Sequence, residues 1–80
     1  MEKFVRKNEV GLDVTYTVIG KYEKDGKNYI IYTDFVTDNT SIIGLKLFVD
    51  LVNKGKSERL ISEEEKNIIK EFNLKLLNGE

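Results

Sequence analysis

The sequence predicts an α+β fold: a small antiparallel β-sheet of three to five strands with a C-terminal α-helix packed on one face. Three observations carry that expectation. Leu12, Val14, Tyr16 and Val18 alternate with Asp13, Thr15 and Thr17, the period of two of a half-buried strand. Asp25-Gly26 separates two strand-like runs, and both residues tolerate the positive φ of a tight hairpin turn. Ser62-Glu63-Glu64-Glu65 then opens an amphipathic stretch in which Ile68, Ile69, Phe72 and Leu76 form one apolar stripe.

The elements follow in order. Lys3 to Lys7 is a short strand, and Asn8 and Gly11 supply turn chemistry after it. Residues 12–22 are the clearest strand, with Gly20 marking a bulge or a close approach by another group. Asn28 to Asp34 returns with a continuous apolar run, the pattern of a central strand covered on both faces. Thr37-Asp38-Asn39-Thr40-Ser41 is a polar connection. Residues 41–52 then hold eight apolar positions in twelve. Leu45, Leu47, Val49 and Leu51 fit a strand, whereas Ile42, Leu45, Val49 and Val52 fit a helix face, with Ser41 as its cap and Gly55 as its stop. Both assignments stay open on these residues alone. Asn53-Lys54-Gly55-Lys56 is a turn and Ser57 to Ile61 a short strand. In the helix, the Ser62 hydroxyl accepts from the Glu65 amide in a capping box, the three acids suit the positive end of the helix dipole, and Gly79 stands at the C-terminal stop.

Composition narrows the function classes. The 80 residues hold one domain, residues 1–80, without Pro, repeat or linker. There is no Cys and no His, so no disulfide or structural zinc staples a core of this size, and oligomerisation stays open. The missing Cys fits a cytoplasmic location. Met1 to Lys7 has charges without an apolar core, so no secretory signal is expected, and no apolar run approaches the length of a membrane span. The formal charge is −1 and evenly spread: residues 1–40 carry six basic and seven acidic side chains, and residues 41–80 carry seven of each. A strong electrostatic grip on nucleic acid needs clustered cations, so nucleic acid is not the expected partner. Eleven of the basic residues are Lys, and only Arg6 and Arg59 are Arg, a bias that fits AT-rich coding.

The hairpin residues Gly26-Lys27-Asn28-Tyr29-Ile30-Ile31-Tyr32-Thr33-Asp34, preceded by Val14-Thr15-Tyr16-Thr17-Val18, are similar to the central hairpin of the YrzB-like family, small bacterial proteins of unknown function. The stretch Arg59-Leu60-Ile61-Ser62-Glu63-Glu64-Glu65-Lys66, followed by Ile68-Ile69, resembles that family's acidic helix start, and the likeness spans residues 8–77. It implies a β-rich module ending in a helix and pushes residues 43–51 toward strand. It implies no activity and no catalytic residue.

Catalysis finds no constellation here. Nucleophilic chemistry needs a base beside the nucleophile, and without His or Cys the serines are turn and cap residues. Asp34, Asp38 and Asn39 match no calcium loop, so no metal is expected. The six glycines are scattered and cradle no phosphate, so no cofactor is expected. The chain is therefore expected to be no enzyme but a protein-interaction or regulatory module, binding a partner or a second copy through a sheet edge or its apolar segment. The apolar residues of that segment fit a core first, and where exposed they offer an interface, for which the candidate residues are Ile42, Ile43, Leu45, Leu47, Phe48, Val49 and Leu51. The alternative is a weak single-strand nucleic-acid binder that stacks bases on Tyr16, Tyr29 and Tyr32.

Overall fold

The computed structural model describes residues 2–39, 43–60 and 62–78. Ser41, Ile42, the Ser62 side chain and Gly79, to which caps, a stop and an interface role are assigned above, lie outside the described residues. Five strands form one antiparallel meander in the order β1-β2-β3-β4-β5, closed by a C-terminal helix. They are β1 (Lys3–Lys7), β2 (Asp13–Lys24), β3 (Lys27–Thr37), β4 (Leu45–Asn53) and β5 (Lys56–Arg59), followed by α1 (Ser62–Leu77). The fold is α+β, as the alternation, the turns and the helix start predict.

Local chemistry accounts for the connections. Asn8 Oδ1 accepts hydrogen bonds from the Val10 and Leu12 amides and shapes the β1–β2 loop. Asp25 and Gly26 both take positive φ, 51° and 77°, the twist-matched geometry for a two-residue hairpin. Lys54 and Gly55 repeat it between β4 and β5, with φ of 51° and 79°. The ambiguous segment is a strand. Its alternation pairs Phe48 with Tyr32 and Val49 with Ile31 on β3, and this pairing decides what periodicity alone leaves open.

Two cores lie on opposite faces of the sheet. On one face, α1 lays Ile68 and Phe72 over Tyr29, Ile31, Leu47, Val49 and Leu60. Gly20 is the close approach: a Cβ there would stand 2.5 Å from Phe72 Cζ, so only glycine lets the ring down onto β2. The β2–β3 register also shifts between Val18 and Gly20, so Gly20 marks a bulge whose extra residue is Ile19. The other face holds Tyr16, Tyr32 and Phe48, with Phe4, Val14, Val18 and Ile30 packed around them. No helix among the described residues is long and apolar enough to cross a membrane.

Candidate functional site

The sheet face away from α1 is curled rather than covered. Its sequence basis is one aromatic per strand at facing positions: Phe4 on β1, Tyr16 on β2, Tyr32 on β3 and Phe48 on β4. Phe4 lies opposite Tyr16 and Tyr32 opposite Phe48, while Tyr16 and Tyr32 are diagonal neighbours, and the rings touch with centroids 5.5 Å apart for Phe4–Tyr16, 5.2 Å for Tyr16–Tyr32 and 5.5 Å for Tyr32–Phe48. Phe4 also meets Tyr32 edge-on at 5.0 Å, although β2 separates their strands. Such a contact requires the sheet to bend toward itself.

A polar bolt fixes that bend. Asp50 on β4 is 0% exposed. Its Oδ2 accepts from Arg6 Nη2 at 2.7 Å and its Oδ1 from Arg6 Nη1 at 3.2 Å, a two-pronged pair from the far edge strand. The Tyr32 hydroxyl donates to Asp50 Oδ1 at 2.7 Å and accepts from Arg6 Nη1 at 2.9 Å. Every charge in this network thus has a partner, as burial demands. Burial, and then the hydrogen bond to Asp50, push the Tyr32 hydroxyl far above its usual range. Donation to Asp50 holds the Arg6 guanidinium above its already high value. Arg59 makes a second, smaller bolt. It pairs with Glu65 at 3.2 Å while its guanidinium lies 4.6 Å from the Phe48 ring centre. Both arginines of the chain therefore serve planar, stacked ion pairs, a task lysine performs poorly.

Above the bolt opens a groove of about 500 Å³, floored by Tyr16, Tyr32 and Phe48 and walled by Arg6, Val10, Asp34, Lys46 and Arg59. Lys46 Nζ stands 5.3 Å from the Phe48 ring centre and has no carboxylate partner among the described residues. The meander brings the β1–β2 and β3–β4 loops to the same end of the sheet, and the rim there is apolar and exposed: Val10, Leu12, Phe35, Val36 and Ile43. Phe35 is 58% exposed and has a φ of 66°, the left-handed region that a bulky residue rarely enters. Two side chains hold it there. Thr33 Oγ1 accepts from the Phe35 amide while donating to the Lys46 carbonyl, and Asp34 Oδ1 accepts from the Val36 amide. The β3–β4 register breaks at the same place, between Thr33 and Thr37.

The residues expected at an interface scatter across this frame. Leu47, Phe48 and Val49 are buried, because β4 lies inside the sheet and feeds both cores. They are core residues of the monomer, not a surface. Leu45 and Leu51 are half-buried, and Ile43 alone among those described is exposed, on the rim. The three tyrosines are also divided: Tyr29 lies under α1, and Tyr16 and Tyr32 belong to the opposite core. All three are buried, with 1–6% of their surface exposed. The reason is cross-strand packing, which consumes strand aromatics. The sequence pattern assigns no site role to Arg6, Asp50 or Phe35. A lone acid among the apolar residues of β4 is the one local signal for Asp50.

Among the described residues, no three acids gather as metal ligands. No family model matches the chain, and neither does any curated protein or solved structure.

Proposed function

We propose that this chain is a non-enzymatic protein-interaction module whose partner docks at the open end of the curled sheet. The observation that carries the reading is Phe35, a large aromatic held outward in a strained backbone by Thr33 and Asp34. Left-handed geometry costs an ordinary residue roughly 1–2 kcal/mol, and such strain gathers at binding and switch segments. Val36, Ile43, Val10 and Leu12 widen the apolar rim, and clustered exposed apolar residues mark interaction sites. Beside them Lys46 supplies a cation without an acid of its own among the described residues. The fitting partner is a protein segment that places an apolar side chain on Phe35 and a carboxylate at Lys46. The absence of Cys supports a reducing, cytoplasmic setting. The likeness to the YrzB-like family adds a bacterial one. A nucleic-acid role through Tyr16, Tyr29 and Tyr32 gains no support, since their rings are spent in the cores.

Phe35→Gly separates binding from folding. Glycine relieves the positive φ, so stability stays level or rises by up to about 1 kcal/mol in urea melts. Loss of an aromatic anchor lowers partner affinity by roughly tenfold or more. The check is a nuclease-treated capture from native lysate with wild type and variant side by side. A stoichiometric protein retained by wild type and lost by the variant supports the reading. A partner held equally by both sinks it.

A further inference from the structure

β1 runs beside only the first half of β2. Their pairing extends from Lys7 opposite Asp13 to Lys3 opposite Thr17, and the Glu2 carbonyl accepts the Val18 amide at 2.9 Å. From Ile19 to Lys24, no strand among the described residues lies on that side of β2. The hairpin turn fixes which groups face the gap. Lys24 and Lys27 flank the two-residue loop, so Lys24, Tyr22 and Gly20 spend their main-chain groups on β3. The amides and carbonyls of Lys21 and Glu23 therefore point outward.

The helix extends past the same edge. Glu65 lies at β4, where its Oε2 accepts the Val49 amide, and Phe72 stands on Gly20 of β2. Glu71 pairs with Lys24 at 2.9 Å, and Lys75 Nζ lies 5.7 Å from the Tyr22 ring centre. One turn further, Leu76 continues the apolar stripe but is 45% exposed, and Leu77 is 65% exposed. The stripe is apolar where the sheet beneath it has ended. A strand in the next position would lie under these leucines.

We infer that the chain forms a two-fold dimer in which the free halves of β2 from two copies pair antiparallel about Tyr22, beneath the overhanging ends of both helices. Charge selects this occupant and this register. With Tyr22 opposite Tyr22, Lys21 faces Glu23 of the second copy and Glu23 faces its Lys21. All four side chains are exposed, and neither residue has an ion pair with the described residues of its own chain. Sliding by two residues in one direction sets Lys21 against Lys21, and in the other Glu23 against Glu23, both repulsive. The outward main-chain groups of Lys21 and Glu23 meet as a hydrogen-bonded pair only in the favoured register. Such an interface is self-complementary, as two-fold symmetry demands. It lies at the hairpin end of the sheet, away from the Phe35 rim, so it stands or falls independently of the partner proposed there.

Sedimentation equilibrium of the full chain across a concentration series tests this. The wild type dimerises with increasing concentration. K21E and E23K each set like charges in opposition at two symmetric contacts and weaken the dimer by roughly tenfold or more. The double variant K21E/E23K restores opposite charges and returns the affinity to within about threefold of wild type. Phe35→Gly leaves the dimer unchanged. Circular dichroism confirms folding, which these exposed positions preserve. A wild type that stays monomeric to roughly millimolar concentration overturns the proposal. So does a double variant no better than the singles, or a dimer lost with Phe35→Gly.

Discussion

The two faces of this sheet are closed in different ways. One is roofed by a helix: Phe72 and Ile68 cover aliphatic and aromatic side chains, and Gly20 clears the space. The other has no roof. It is drawn together by the sheet's own curl, with four rings in contact and an arginine from the edge strand clamped on a buried aspartate three strands away. The first closure is apolar and tolerates adjustment. The second depends on a charge that has no water to fall back on. The uncovered face therefore owes its shape to a few polar atoms, and the groove above it inherits that shape.

The largest effect is expected at the bolt. Arg6→Met leaves the Asp50 carboxylate, which is 0% exposed, without a cation beside it. Breaking a buried pair costs about 3–5 kcal/mol, against a total of roughly 5–15 kcal/mol for a domain. Urea melts should show most of the stability gone. Exchanging all three members for apolar ones, Arg6→Met, Tyr32→Phe and Asp50→Leu, recovers much of it, because no charge is then left buried alone. A triple variant as unstable as Arg6→Met alone would mean that the curl is not held by this network.

The roofed face gives a smaller and more local response. Gly20→Ala drives a methyl group into the Phe72 ring, and overpacking of this kind costs about 1–3 kcal/mol. Adding Phe72→Leu makes room, and the double variant should be more stable than the sum of the single losses predicts. Strict additivity would show that the two residues do not meet.

These two closures were unequally legible. Both Gly20 roles, bulge and close approach, stand in the strand pattern, because a glycine inside an alternating run needs a local reason. Asp25-Gly26 is equally local, and its φ values fulfil it. The β4 segment could not be settled locally. Its apolar spacing fits two periods, and the choice falls to pairing with β3. The bolt joins Arg6 to Asp50, 44 residues away, and no short-range pattern connects them. Phe35 was hidden for a similar reason. Its backbone is set by hydrogen bonds to Thr33 and Asp34 side chains, and a positive φ leaves no mark in composition when the residue is not glycine. The apolar excess of residues 42–52 fits a core as well as an interface, and Leu47, Phe48 and Val49 go to the core, since a strand serving two cores needs apolar residues on both faces.

The smallest expected effect separates the faces by pH. Tyr32 sits on the uncovered face with its hydroxyl pushed well above the usual value near 10 by burial and by donation to Asp50. In the unfolded chain that hydroxyl loses its proton near pH 10, while in the folded chain it keeps it. Above pH 10 the unfolded state thus binds fewer protons than the native one, and stability must fall as pH rises. The contribution is fully present below pH 10 and is lost through the alkaline range. One group amounts to about 1 kcal/mol between pH 9 and pH 11. Urea melts at those two pH values should show this loss in wild type. Tyr32→Phe, although less stable at both because Asp50 loses a donor, should show about 1 kcal/mol less of it. Equal losses in both proteins would mean that the hydroxyl titrates as freely folded as unfolded, and that Asp50 is open to water after all.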